Sequence, residues 1–172
     1  MIKIKILIPV YNDWQSVFKL IENINSKVST LGSEFSVIII NDASTESSLD
    51  FSTNLDNLKS VQIINMKENR GHARCNAAGL KYINEKEEFD YVIPMDGDGE
   101  DRPEELSLLI EMIKEYPNTV ITANRVKRSE GFIFKFCYEA HKYLTLVFTG
   151  QTIKYGNYTC LPRSVVDKMV NE

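Results

Sequence analysis

The sequence predicts an α/β protein, a Rossmann-like three-layer α/β/α sandwich around a mostly parallel central sheet. Short apolar runs rich in β-branched residues begin near Lys3, Phe35, Val61, Tyr91 and Thr119. They recur about every 26 to 32 residues, and amphipathic helical patterns fill the intervals. Runs without alternation suit strands covered by helices on both faces, and the strand–helix rhythm is that of right-handed βαβ crossovers. Five core strands are expected.

Each element has a local reason. The first run is apolar from Met1 to Val10, but Pro9 and Tyr11-Asn12-Asp13 stand where a signal peptide needs small residues, so it reads as a strand. From Trp14 to Val28, the residues Val17, Leu20, Ile21, Ile24 and Val28 recur at helical spacing behind the candidate caps Asn12 and Asp13. A second helix is expected over Gly71 to Tyr82, with Ala73, Ala77, Leu80 and Ile83 along one face. Pro103 opens a third, with Leu106, Leu109, Ile110 and Ile113 in register. After Ala123 the rhythm breaks into a basic turn-like stretch, an apolar-basic segment to Phe148 and a final strand-like run.

At 172 residues and 43% hydrophobic side chains, the chain can bury one substantial core, so one domain is expected. Charged residues make up 26% and the net charge is −4, which excludes a general pull toward nucleic acid. Cys75, Cys137 and Cys160 fit neither a metal pair nor a disulfide framework and read as reduced thiols in a cytoplasmic setting. The apolar stretch from Phe132 to Val147 is interrupted by Lys135, Glu139, His141 and Lys142, so no segment is expected to span a bilayer.

Ligands of open parallel sheets bind beyond the carboxyl ends of the strands, and here those ends are acidic. The first is followed by Asp13, the second carries Asn41-Asp42, and the fourth ends in Asp96-Gly-Asp-Gly-Glu-Asp101. Asp42 can cap the next helix. Several acids on one rim repel unless a cation or ligand donors sit between them. Asp96 and Asp98, two apart in extended chain, share a face, while Gly97 and Gly99 let the backbone turn. Such a pair suits Mg2+ or Mn2+, whose remaining shell of water and phosphate oxygens implies a diphosphate ligand. A calcium loop is excluded, because its sixth and twelfth positions hold Asp101 and Ser107 instead of Gly and Glu. A P-loop and a GxGxxG fingerprint are absent.

Four segments, Ile8-Pro-Val-Tyr-Asn-Asp13, Ile40-Asn-Asp-Ala-Ser-Thr45, Asn69-Arg-Gly-His-Ala-Arg-Cys-Asn-Ala-Ala-Gly79 and Met95-Asp-Gly-Asp-Gly-Glu-Asp-Arg-Pro-Glu104, follow one another in order. In this the chain resembles family 2 glycosyltransferases of the GT-A fold, most closely the dolichol-phosphate mannose synthase type and its bacterial polyprenyl-phosphate relatives. The resemblance implies that residues 1–123 bind the nucleotide-sugar and that 124–172 form an acceptor-side segment. Pro9, Tyr11 and Asp13 would line the base and ribose, with Asp13 where the family more often has Glu. Asp42 would accept an N–H of the base, and Arg70 would lie by the base or phosphates, with Gly71 admitting close approach. Asp96 would contact ribose and metal, with Gly97 beside it, and Asp98 would be the principal metal ligand. Glu100 would be a further ligand, whereas Asp101 and Glu104 read as acids complementing a helix dipole.

The resemblance also implies an inverting transfer of hexose from a UDP- or GDP-sugar. Where family members place a late general base, this chain has Asn157, and an amide takes no proton. A phosphate acceptor is already anionic, so a polyprenyl phosphate is expected, held by Arg125 and Arg128, with Arg163 as a third candidate. Arg125 is accordingly grouped with Asp96 and Asp98 as catalytic. The segment 132–148, aromatic and basic, would touch the cytoplasmic membrane face, or else pack as a buried helix. Extension of a saccharide and a non-catalytic nucleotide-sugar-binding module are the alternatives.

Overall fold

The computed structural model describes residues 1–46, 54–123 and 158–171. The chain divides into two compact units, Met1–Ile121 with Asn157–Glu172, and Thr122–Gly156. Nearly everything described belongs to the first, so the last residues join the sheet that the sequence assigns to the nucleotide-binding half. The strands are β1 (Lys3–Val10), β2 (Glu34–Asn41), β3 (Ser60–Asn65), β4 (Tyr91–Pro94), β5 (Ile121–Thr122) and β6 (Thr159–Pro162). The helices are α1 (Trp14–Val28), α2 (His72–Lys86), a 3-10 turn at Pro103–Glu105 leading into α3 (Leu106–Glu115), and α4 (Arg163–Asn171).

The sheet order is β3-β2-β1-β4-β6-β5. β1 pairs in parallel with β2 and β4, β2 with β3, and β6 runs antiparallel to β4. The expected α/β sandwich is therefore present, with two corrections. β3 lies at the edge and is half-buried, and β5 is only two half-buried residues, so neither is a core strand. The strand-like run near the end is a short strand followed at once by a helix, because Val165, Val166 and Val170 pack at helical spacing against the core.

Alternation along β1 builds the layers. Leu7 meets α2 at Gly79, whereas Ile8 lies with Val17 of α1 around Gly97, so the two helices cover opposite faces. Gly79 lets α2 lie close: a Cβ there would stand 2.3 Å from Leu7 Cδ1 and 3.0 Å from Ile40 Cγ1. Leu7 and Ile40 are buried and have little room to yield. Gly79→Ala is expected to lower unfolding free energy by about 1–2 kcal/mol, since overpacking outweighs the gain in helix propensity. A urea titration checks it.

One ion pair enters the core. Lys5 Nζ lies 2.7 Å from Glu87 Oε2, and Gln62 donates to Glu87 Oε1 at 3.1 Å. Burial alone pushes the Glu87 carboxyl up, but the bonds from Lys5 and Gln62, with the Lys5 charge, outweigh it and hold it below its ordinary value. The pair's contribution is present above the usual carboxylate range and lost as pH falls through the lowered folded-state value.

Cys75 and Cys160 are fully buried, and burial pushes both thiols up to about 12, with Asp42 adding to the effect at Cys75. The unfolded chain releases these protons first, so stability is expected to fall as pH rises from the ordinary thiol range toward about 12. Site-resolved alkylation should label both cysteines only after unfolding. Cys137 lies outside the described residues.

Candidate functional site

The strand order reverses beside β1: one crossover leads left to β2, and the chain later returns to β4 on the right. Crevices at such switch points are where open parallel sheets bind ligands. A hollow of about 360 Å³ lies at that place. Its wall is made by Pro9, Val10, Tyr11 and Asp13 after β1, Val17 of α1, His72 at the start of α2, and Asp96, Gly97 and Asp98 after β4. Asp13 is also the N-cap of α1, accepting from Ser16 N at 3.3 Å.

The loop after β4 is fixed by its own acids. Asp101, 1% exposed, accepts the Asp96 amide on Oδ2 at 2.9 Å, and Asp98 Oδ1 accepts the Glu100 amide at 2.9 Å. Asp101, expected as an acid at a helix start, stands just before the 3-10 turn and is buried there as a clamp on this loop. Tyr158 adds a second clamp by donating its hydroxyl to the Arg102 carbonyl at 3.2 Å, and burial pushes that phenol up. Gly99 supplies the turn, at φ +80°. Gly97 does something else: a Cβ would stand 2.8 Å from Val17 Cγ2, so it is needed for close packing.

Asp42 is 4% exposed and does not line the hollow. Oδ1 accepts the Arg70 amide at 2.7 Å and Oδ2 the Gly71 amide at 2.8 Å. Both amides precede α2, whose N-cap is Gly71, so Asp42 anchors the loop that leads into the helix and does not cap its first turn. Gly71, at φ 82° and ψ 163°, sits in a region open essentially to glycine alone, and this conformation delivers both amides to Asp42. Its role is that backbone shape; nothing stands within 4 Å of the Cβ it lacks.

Arg70 also departs from expectation. Its guanidinium pairs with Glu68, half exposed and off the wall of the hollow. His72, two residues on, lines the hollow: its Nε2 lies 3.4 Å from Asp96 Oδ1 and 2.9 Å from Asn76 Nδ2. His72 is absent from the residues expected above; its place as the first residue of α2, directly after Gly71, was the available signal.

Asp96 and Asp98 share the hollow as expected, and an oxygen pair of this kind fits a hard divalent cation that completes its shell with water and phosphate. Glu100 does not join them on the wall. Among the described residues no three His, Cys, Asp or Glu side chains gather into a metal cage. Glu104 pairs instead with Lys27 at 3.6 Å.

Arg163 is corrected as an acceptor-side residue. Because β6 is antiparallel to β4, its end lies by the start of β4: the Arg163 amide donates to Asp90 O at 2.9 Å, and the guanidinium lies over Phe89 at 5.3 Å. That is the sheet edge opposite the acidic rim. Arg125, Arg128, Asn157 and the segment 132–148 lie outside the described residues. Among the described residues no helix is long and apolar enough to cross a membrane.

A mostly parallel sheet of this order, covered by helices on both faces, is the GT-A fold of glycosyltransferases. The sequence profile of Glycosyl transferase family 2 matches residues 5–163, and the chain belongs to that family. It is 26% identical over 175 residues to the undecaprenyl-phosphate 4-deoxy-4-formamido-L-arabinose transferase of Klebsiella pneumoniae (strain 342). The match covers 98% of this chain and 51% of that relative, so the chain spans about half the relative's length. Mannosyl-3-phosphoglycerate synthase from Rubrobacter xylanophilus superposes with a TM-score of 0.66 at 12% identity, over 94% of this chain and 53% of the other. S. aureus TarS 1-349 in complex with UDP-GlcNAc gives 0.58 at 19% identity, over 78% and 38%. These likenesses show the fold.

Proposed function

We propose that this chain is the donor-binding catalytic domain of a metal-dependent, inverting glycosyltransferase that moves a hexose from a UDP- or GDP-sugar to a polyprenyl phosphate. The observation that carries the reading is the pair Asp96 and Asp98 on one wall of the β1/β4 hollow. The name of the Klebsiella pneumoniae relative, an undecaprenyl-phosphate sugar transferase, supports the acceptor.

Asp98 and Asp96 would hold Mg2+ or Mn2+, which when bound neutralises charge gathering on the departing diphosphate. Pro9, Val10, Tyr11 and Asp13 wall the space for base and ribose. His72 supplies the nitrogen-bearing side chain of a wall that otherwise carries three carboxylates. Asp42 and Asp101 act behind the wall by fixing the loops that present His72 and Asp96. Arg125 and Arg128 would hold the acceptor phosphate, which attacks the anomeric carbon as an anion and needs no base to deprotonate it. The segment 132–148 would lie on the cytoplasmic membrane face beside its lipid substrate.

The test is a transfer assay on the protein with polyprenyl phosphate and with an oligosaccharide as acceptors, with UDP- and GDP-hexoses as donors and Mn2+ present. Transfer to the lipid phosphate supports the proposal. Transfer to the sugar hydroxyl alone points to glycan extension, and binding without turnover points to a silent nucleotide-sugar module.

A further inference from the structure

We propose that Asn12 is a positioning residue for the hollow, stapling the loop that leaves β2 to the β1–α1 corner and so setting Tyr11 and Asp13 on the wall. The inference rests on the donor-site reading above. Asn12 lies between those two lining residues without lining the hollow itself. Its φ is +60°, a left-handed conformation that Asn tolerates better than most residues.

The side chain explains why the conformation is kept. Oδ1 accepts the Thr45 amide at 2.8 Å and the Glu46 amide at 3.2 Å, and Nδ2 donates to Thr45 Oγ1 at 3.1 Å. The Asn12 amide donates in turn to Ser44 Oγ at 2.9 Å, and the buried Trp14 indole donates to Glu46 O at 3.2 Å. On the other side of the staple Ala43 is also left-handed, at φ +56°. Two strained non-glycine residues facing each other across one set of bonds mark a place where the surroundings over-determine the backbone. Glycine would adopt the conformation more cheaply but carries no amide, and aspartate has the acceptor but not the donor. Asn meets both demands.

The test uses Asn12→Gly, Asn12→Ala and Asn12→Asp in the full chain. UDP and GDP binding with Mn2+, KM and kcat for the donor, and ligand-free amide hydrogen exchange at Thr45 and Glu46 are measured. Asn12→Gly and Asn12→Ala are expected to raise Kd and KM about tenfold, with kcat within about twofold, because misplacement of a wall costs binding when no reacting atom is touched. Exchange at Thr45 and Glu46 should quicken in both, and Asn12→Asp should recover most of the loss. Wild-type affinity in Asn12→Gly, or unchanged exchange at both amides, overturns the staple. A wild-type protein that binds neither nucleotide overturns the donor-site reading and this proposal with it.

Discussion

Asp98→Asn is expected to lower donor turnover by roughly a hundredfold or more, because a metal that stabilises a departing diphosphate supplies several kcal/mol to the transition state. The substitution is nearly isosteric. An amide oxygen can still accept the Glu100 amide, so the turn that Asp98 closes is retained and stability should change by only about 0.5 kcal/mol. Loss of activity would then report the missing charge. Comparison of initial rates with Mn2+ for the two proteins, beside their thermal unfolding, separates the two effects. Equal rates would remove Asp98 from the chemistry.

The second large effect is on stability. Asp42→Ala deprives the part-buried Arg70 and Gly71 amides of their acceptors, and bonds to a charged group contribute about 1.5–3 kcal/mol each. A loss of about 3 kcal/mol is expected, read as a lower urea midpoint at unchanged slope. Asp42→Asn should also destabilise, since its NH2 would face an N–H. If Asp42 served only as a ligand contact, both variants would unfold like the wild type and bind nucleotide less well.

Much of this fold was legible. α1 runs over the very residues whose apolar spacing and Asp13 cap announce it, and four strands begin close to their β-branched runs. These features are local, so the sequence carries them directly. The acidic rim was legible for a similar reason: the ends of parallel strands must meet along one edge, which brings Asp13, Asp96 and Asp98 to one hollow.

What escaped depends on approach in space. That Asp42 anchors the loop at Arg70 and Gly71, one amide on each oxygen, depends on a loop nearly thirty residues further along the chain and is not written locally. Whether Arg70 or His72 faces the hollow is decided by the phase in which α2 starts, and that phase follows from the backbone of Gly71. Arg163 was placed on the wrong edge because an apolar run does not announce its direction. Once β6 is antiparallel, its end goes to the far side of the sheet. The two clamps of the Asp96 loop, Asp101 and Tyr158, join residues 5 and 56 apart from their partners, and only the second of these was out of local reach.

Anomalous diffraction from crystals grown with Mn2+ and UDP or GDP tests the central claim most directly. The account predicts one manganese peak in the β1/β4 hollow, within bonding distance of carboxylate oxygens of Asp96 and Asp98 and of the diphosphate. A nucleotide bound elsewhere on the sheet, or manganese that avoids both aspartates while nucleotide occupies the hollow, would contradict it.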